Sequence, residues 1–171
     1  MVDGAGFHIV GVVGSSELAT ITAGLLGRLP GWFADPKSNA EYCESARQLP
    51  GFLARSAGGE PIGILLNKRH FAESAEVYLI AVDPDWHRRG VGAALIAALE
   101  SELRADGCRM LQVKTLGPSF PDAGYTLTRA FYQAAGFVPV EEIHGLWGDI
   151  PCLLMIKALP EVAAGEELGR G

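Results

Sequence analysis

Residues Val77 to Glu102 read VYLIAVDPDWHRRGVGAALIAALESE, and the order of their three parts decides the fold. Val77-Tyr78-Leu79-Ile80-Ala81-Val82 is a short apolar run rich in β-branched and aromatic residues, which is the pattern of a buried strand. Asp83-Pro84-Asp85 stops it with turn chemistry. His87-Arg88-Arg89-Gly90-Val91-Gly92 then opens a helix that continues through Ala93-Ala94-Leu95-Ile96-Ala97-Ala98-Leu99-Glu100. Without a Cβ, Gly90 and Gly92 let the atoms of a ligand come close to the backbone. The first amides of a helix lack intrahelical partners and lie at the positive end of its dipole. Together these parts make an anion site of the kind that phosphate occupies, and Arg88 and Arg89 add charge beside it. The competing reading is a strand–helix corner that uses its small residues for packing alone.

Two common phosphate loops are absent: the chain has neither G-x-x-x-x-G-K-[ST] nor a G-x-G-x-x-G in a first β-turn-α unit. Instead V-x-P-x-W-H-R-R-G-V-G-x-x-L, from Val82 to Leu95, resembles the acyl-CoA pyrophosphate loop of the GNAT family of N-acyltransferases. That motif, [QR]-x-x-G-x-[GA], falls on His87-Arg88-Arg89-Gly90-Val91-Gly92, with His87 where Gln or Arg is usual. A second stretch, Phe131-Tyr132-Gln133-Ala134-Ala135-Gly136-Phe137, fits the family's Y-x-x-x-G-F. It is also ordinary packing for a helix end followed by a strand. Where many members carry Asn at the start of that helix, this chain has Tyr125, and the loop Lys114 to Ser119 looks like a variant.

The resemblance implies acetyl-CoA as co-substrate, with no metal. It implies a diphosphate held by the loop from His87 through Arg88, Arg89, Gly90, Val91 and Gly92 to Ala93. It would put the Ile80 N–H on the thioester carbonyl and Val82 backbone groups on the pantetheine arm. A bulge near Ala81 would free those groups from strand pairing. It makes Tyr132 the general acid, or the hydrogen-bond donor, on the CoA sulfur. The chemistry needs a base as well, because a free amine is mostly protonated at neutral pH. Glu76 is the choice: it begins the central strand, strand alternation puts positions 76, 78, 80 and 82 on one face, and several family members keep a glutamate there. Its bland reading is a solvated strand-end carboxylate, and Glu73 and Asp83 are rivals. Transfer should be direct, since no cysteine sits in a nucleophile context.

Outward from this stretch, the chain reads as a succession of short elements. Phe7 to Val13 is a strand, and Ser15 or Ser16 caps a helix carrying Leu18, Ile21, Leu25, Leu26 and Leu29. Asp35-Pro36 starts a second helix running to about Gln48. Phe52 to Ser56 and Pro61 to Leu66 are strands around a turn at Ala57 to Glu60. Met110 to Leu116 is a strand parallel to the central one, across a right-handed crossover. A helix from Thr126 to Ala135 and strands at Phe137 to Ile143 and Cys152 to Leu159 complete the order β-α-α-β-β-β-α-β-α-β-β. This is an α+β (mixed α/β) arrangement, with a central, mostly antiparallel sheet flanked by helices, as the resemblance also implies. It should form one domain over residues 1–171, with a loosely ordered tail from about 160.

The chain of 171 residues is 49% hydrophobic, which suits a packed globule. Its net charge of −6 argues against a nucleic-acid partner. The three cysteines, Cys43, Cys108 and Cys152, are scattered and lack metal spacing, so a cytoplasmic location is expected. No apolar run is long enough for a membrane span. Trp32, Phe33, Tyr42, Phe120 and Trp147 are candidates for an acceptor pocket, although each also serves as a core aromatic. His8, His70 and His144 read as structural or surface residues. The expected activity is N-acetylation of a small-molecule amine, with a protein amino group as second choice and a possible homodimer by resemblance. A non-catalytic acyl-CoA sensing domain and a nucleotide-binding module are the alternatives from other classes.

Overall fold

The computed structural model describes residues 6–160, so the expected tail lies outside the described residues apart from its first position. The elements are β1 (Phe7–Val12), α1 (Ser16–Gly27), α2 (Pro36–Ser45), β2 (Gly51–Ser56), β3 (Pro61–Phe71) and β4 (Ser74–Val82). After a 3-10 turn at Pro84–Trp86 come α3 (Val91–Ala105), β5 (Met110–Leu116), α4 (Ala123–Ala134), β6 (Val138–Gly145) and β7 (Gly148–Ala158). The order and class match the sequence reading. The strands form one seven-stranded sheet in the order β1-β2-β3-β4-β5-β7-β6. Every pairing is antiparallel except β4 with β5, the product of the crossover through α3.

Local chemistry explains the helix boundaries. The Ser15 hydroxyl accepts from Leu18 N, Asp35 caps α2 with Pro36 in its first turn, and Asp122 accepts from Tyr125 N at the start of α4. Helix α3 buries Val91, Leu95, Ile96, Leu99 and Leu103 at helical spacing. Those side chains join Leu65, Val77, Leu111, Val113 and Met155 of the sheet in the larger core cluster. Helix α1 puts Leu18, Leu25 and Leu26 on the other face, against Leu53, Ile64, Leu66, Leu79 and Ala81. At roughly 1.5–3 kcal/mol for each large apolar side chain buried, these two layers hold the sheet between the helices.

The structure corrects several boundaries. Helix α3 does not open at His87: Arg88 (φ 57°) and Gly90 (φ 83°) are left-handed, so His87 to Gly90 is a loop and Gly90 is the N-cap. Helix α2 stops at Ser45, short of Gln48. Helix α4 starts at Ala123, so Tyr125 lies within it. Strands β6 and β7 meet in a tight hairpin around Leu146-Trp147, where a longer loop was expected. Most consequentially, β3 does not end at Leu66. Its polar second half, Asn67 to Phe71, stays in the sheet opposite Ser74 to Val77.

Candidate active site

Strand β4 pairs with β5 only from Ser74↔Met110 to Val77↔Val113. Beyond that point β5 continues to Leu116 on the far side, paired with β7, while β4 continues to Val82 paired with β3. The two parallel strands therefore part, and a wedge opens between them. The backbone of Tyr78 to Val82 has no partner strand on that side.

A β-bulge marks where the wedge begins. The register with β3 runs Leu66↔Leu79 and then Asn67↔Val77, so Tyr78 is the extra residue. The bulge was expected near Ala81 and lies three positions earlier. It also overturns the expected shared face of 76, 78, 80 and 82. Ala75, Val77, Ile80 and Val82 pack towards α3, while Tyr78, Leu79 and Ala81 pack towards α1 and α2. Glu76 alternates with Ala75 and Val77, so it shares the α1–α2 face with Tyr78, and Ile80 and Val82 point the other way. A sheet register shifted by one residue exchanges the faces of everything beyond it.

The loop after β4 is held by its own hydrogen bonds up to His87. Asp83 Oδ1 accepts from Asp85 N, and Trp86 N and His87 N close the turn onto Asp83 O and Pro84 O. Among the described residues, the next amide with an acceptor is that of Ala94, which donates to Gly90 O at 2.9 Å. The amides of Arg88, Arg89, Gly90, Val91, Gly92 and Ala93 make no hydrogen bond to a protein acceptor among the described residues, as the first amides of a helix do not. The two glycines divide the roles suggested for them. Gly90 supplies the left-handed turn and has open space where a Cβ would stand. Gly92 instead admits the Phe131 ring, which a Cβ would meet at 3.0 Å, so it serves helix packing. Arg89 lies over the Trp86 ring at 5.2 Å. Rival carboxylate Asp83 ion-pairs with Arg28, and Glu73 sits in the β3–β4 turn at the far end of the strands from the wedge.

His87, the departure from the motif, has a partner of its own. Its Nε2–H donates to the Val82 carbonyl at 2.7 Å, and its ring meets Trp32 edge-on at 5.8 Å. Trp32 is tied in turn to α4: its Nε1 donates to Thr128 Oγ1 at 3.1 Å, and its carbonyl accepts from Tyr125 Oη at 2.8 Å. The α1–α2 connection is thereby fastened over the wedge, and Tyr125 has a structural use.

On the α1–α2 face, Glu76 is buried, with a relative exposure of 6%. Lys114 Nζ donates to its Oε1 at 3.0 Å, while His70 Nε2 at 2.6 Å and Gln112 Nε2 at 3.3 Å donate to its Oε2. Burial alone would push its pKa up, but these three hydrogen bonds, together with the charge of Lys114, outweigh burial and hold the carboxyl below its usual value. His70, read as structural or surface, is thus part of the Glu76 cluster, whereas His144 pairs with Glu142 on β6.

All four tyrosines of the chain gather here. Tyr132, on α4, is buried against Phe131 and Phe137, with ring centroids 5.3 and 5.6 Å away. Its hydroxyl makes no hydrogen bond among the described residues, and burial, with smaller pushes from Tyr42 and Tyr125, raises its pKa. Burial pushes Tyr42 up to about 12, helped by Tyr78, Tyr125 and the carboxylates of Glu41 and Glu76. Tyr42 stacks edge-on against Phe33 at 5.9 Å and against Tyr78 at 5.4 Å, and Ser45 Oγ donates to Tyr78 Oη at 3.2 Å. Of the acceptor-pocket candidates, Trp32, Phe33 and Tyr42 surround the wedge. Trp147 is exposed at the β6–β7 hairpin tip, and Phe120 is exposed on the loop before α4. Tyr78, Lys68, Gln112 and Lys114 were not singled out from sequence. A strand face that alternates polar side chains inside an apolar sheet was their only signal.

The sequence model of the Acetyltransferase (GNAT) family matches residues 23–137. No curated protein matches the chain. Among solved structures, the ribosomal-protein-S18-alanine N-acetyltransferase from Escherichia coli superposes with a TM-score of 0.69 at 20% identity, covering 95% of this chain and 100% of that one. A GNAT family acetyltransferase from Elizabethkingia anophelis with acetyl-CoA bound gives 0.68 at 16% identity, covering 90% and 99%. Nourseothricin acetyltransferase gives 0.56 at 20% identity, covering 65% of each. At these identities each likeness shows the fold.

Proposed function

Because the chain belongs to the GNAT family of acetyltransferases, we propose that it moves an acetyl group from acetyl-CoA directly onto the amino group of a small molecule. The observation that carries this reading is the run of unpartnered amides from Arg88 to Ala93 beside the wedge between β4 and β5. In this reading those amides and the α3 dipole hold the diphosphate of acetyl-CoA. Pantetheine enters the wedge along β4, and the Val82 carbonyl becomes available to it when the His87 ring turns aside. The Ile80 N–H polarises the thioester carbonyl, where negative charge develops.

The amine nitrogen attacks that carbonyl. A C–N bond forms, the C–S bond breaks, and CoA leaves as thiolate. The amine's proton leaves towards Glu76, directly or through the His70 imidazole that is hydrogen-bonded to it. A carboxylate held ionised by three donors is a weak direct base but a strong anchor for a positive charge forming beside it. Tyr132 stands on the sulfur side. A phenol raised above 10 does not readily hand its proton to a thiolate whose acid is near 8.5. Its part is therefore to donate a hydrogen bond to the departing sulfur, and its hydroxyl has no competing protein partner among the described residues.

Calorimetry with acetyl-CoA, CoA, ATP and NAD tests the binding half. Selective binding of acetyl-CoA and CoA is expected, and equal binding of ATP or NAD refutes it. Thiol release across a panel of amines tests the chemistry. Tight acetyl-CoA binding with no turnover of any amine would identify a sensing domain, and turnover of peptide N-termini alone would identify a protein acetyltransferase. The scattered cysteines, all free thiols, support a reducing compartment such as the cytoplasm. No helix of the described residues is long and apolar enough to cross a membrane.

A further inference from the structure

Lys68 stands opposite Glu76 in the β3–β4 register, yet its ammonium does not pair with that carboxylate. Lys114, His70 and Gln112 donate to the two Glu76 oxygens instead. The Lys68 side chain turns instead along the sheet towards the bulge, where Nζ lies 3.6 Å from the centroid of the Tyr78 ring. Among the described residues Lys68 has neither a carboxylate partner nor a hydrogen-bond acceptor. Around the mouth of the wedge, Glu76 therefore pairs with Lys114, and Lys68 makes no ion pair among the described residues. The ring that holds the ammonium belongs to the extra residue of the bulge, where the two strands begin to part. A cation held on an aromatic face is already ordered, so binding an anion there costs little side-chain entropy.

We propose that Lys68 is an anion-binding subsite of the acceptor pocket, and that the acceptor is a small zwitterionic amine: an amino group with a carboxylate, or a like-shaped oxyanion, a few bonds away. This rests on the acetyltransferase reading and narrows it. Residues facing each other across neighbouring strands have Cβ atoms about 4.5–5.5 Å apart. An α-, β- or γ-amino acid has the length to place its carboxylate on Lys68 while its amino group faces Glu76 and the thioester. The edge-on series Phe33–Tyr42–Tyr78 offers an apolar wall for the remainder of the acceptor. Polycationic amines are disfavoured by the same arrangement.

The test uses the whole chain with saturating acetyl-CoA and matched acceptors: free amino acids, their carboxamides, short peptides and a linear polyamine. Thiol release and calorimetry on the CoA-loaded protein are read for each. Free amino acids are expected to exceed their carboxamides at least ten-fold in kcat/KM or in affinity. Lys68→Met should raise KM for the acid at least ten-fold while kcat, KM for acetyl-CoA and the melting temperature change little, and Lys68→Arg should keep most of the preference. Carboxamides, peptides or the polyamine performing as well as the acids would overturn the subsite. So would an unchanged KM in Lys68→Met, or the absence of measurable binding by any anionic amine. Failure of acetyl-CoA itself to bind wild-type protein would instead overturn the acetyltransferase reading.

Discussion

Replacing Tyr132 by Phe separates function from packing at one atom. Tyr132 is 5% exposed, its ring is fixed between Phe131 and Phe137, and its hydroxyl bonds to nothing among the described residues. Removing the oxygen leaves the ring contacts intact and deletes a polar group that the fold does not use. Stability should hold or rise, by about 0–1 kcal/mol, since no protein hydrogen bond is lost and no donor is orphaned. Activity should fall. A hydrogen bond to a charged group contributes about 1.5–3 kcal/mol, and each 1.36 kcal/mol is a decade in rate, so kcat should drop roughly 10- to 150-fold. Thermal unfolding and thiol-release kinetics on the same preparation measure both halves. An unchanged kcat would refute the sulfur-side role. A lower kcat together with a melting temperature several degrees lower would show that the hydroxyl supports the fold instead.

Further perturbations have equally definite outcomes. Glu76→Gln should lower kcat by about 10²–10⁴, as loss of proton transfer does, with smaller effects on KM for acetyl-CoA. Because the folded-state pKa of Glu76 is depressed, its stabilisation is present above the unfolded value of about 4.3 and is lost as pH falls through the lower folded value. Acid unfolding curves should therefore show less loss between about pH 5 and 3 in Glu76→Gln than in wild type, and identical curves would contradict the three-donor cluster. Gly90→Val forces a branched residue to φ 83° at a strain of about 1–2 kcal/mol; with open space around it the fold should survive while acetyl-CoA affinity falls at least ten-fold by calorimetry. Gly92→Val should do the reverse: its Cβ meets Phe131 at 3.0 Å, so about 1–3 kcal/mol of stability is lost to overpacking, read as a lower denaturant midpoint. Tyr125→Phe removes the bond to the Trp32 carbonyl and should loosen the α1–α2 connection by about 0.5–1.5 kcal/mol, visible as faster amide exchange around Trp32 with little change in the sheet.

The architecture was legible because its signals are periodic and local. The apolar run of β4, the stop at Asp83-Pro84, the spacing of Leu95 and Leu99, and the helix starts at Ser15 and Asp35 each follow from residues close in sequence. The site was legible only in part, because its making depends on register. Nothing local announces that Tyr78 is the extra residue in the pairing with β3, yet that one insertion sends Ile80 and Val82 to the α3 face and leaves Glu76 and Tyr78 on the other. Lys68 and His70 were invisible for a related reason. Their polarity ended the apparent strand at Leu66, although backbone pairing with Ser74 to Val77 carries the strand on regardless of side-chain polarity. His87 looked like a weakened motif position; the Val82 carbonyl it caps became evident only in three dimensions.

The central claim is that the amides of Arg88 to Ala93 receive the diphosphate of acetyl-CoA, and amide-resolved NMR titration measures it directly. The account predicts that added acetyl-CoA shifts the amide resonances of Arg88 to Ala93 most, followed by those of Ile80 and Val82 along the open edge of β4. Saturation of the protein with acetyl-CoA while those resonances stay in place would contradict it.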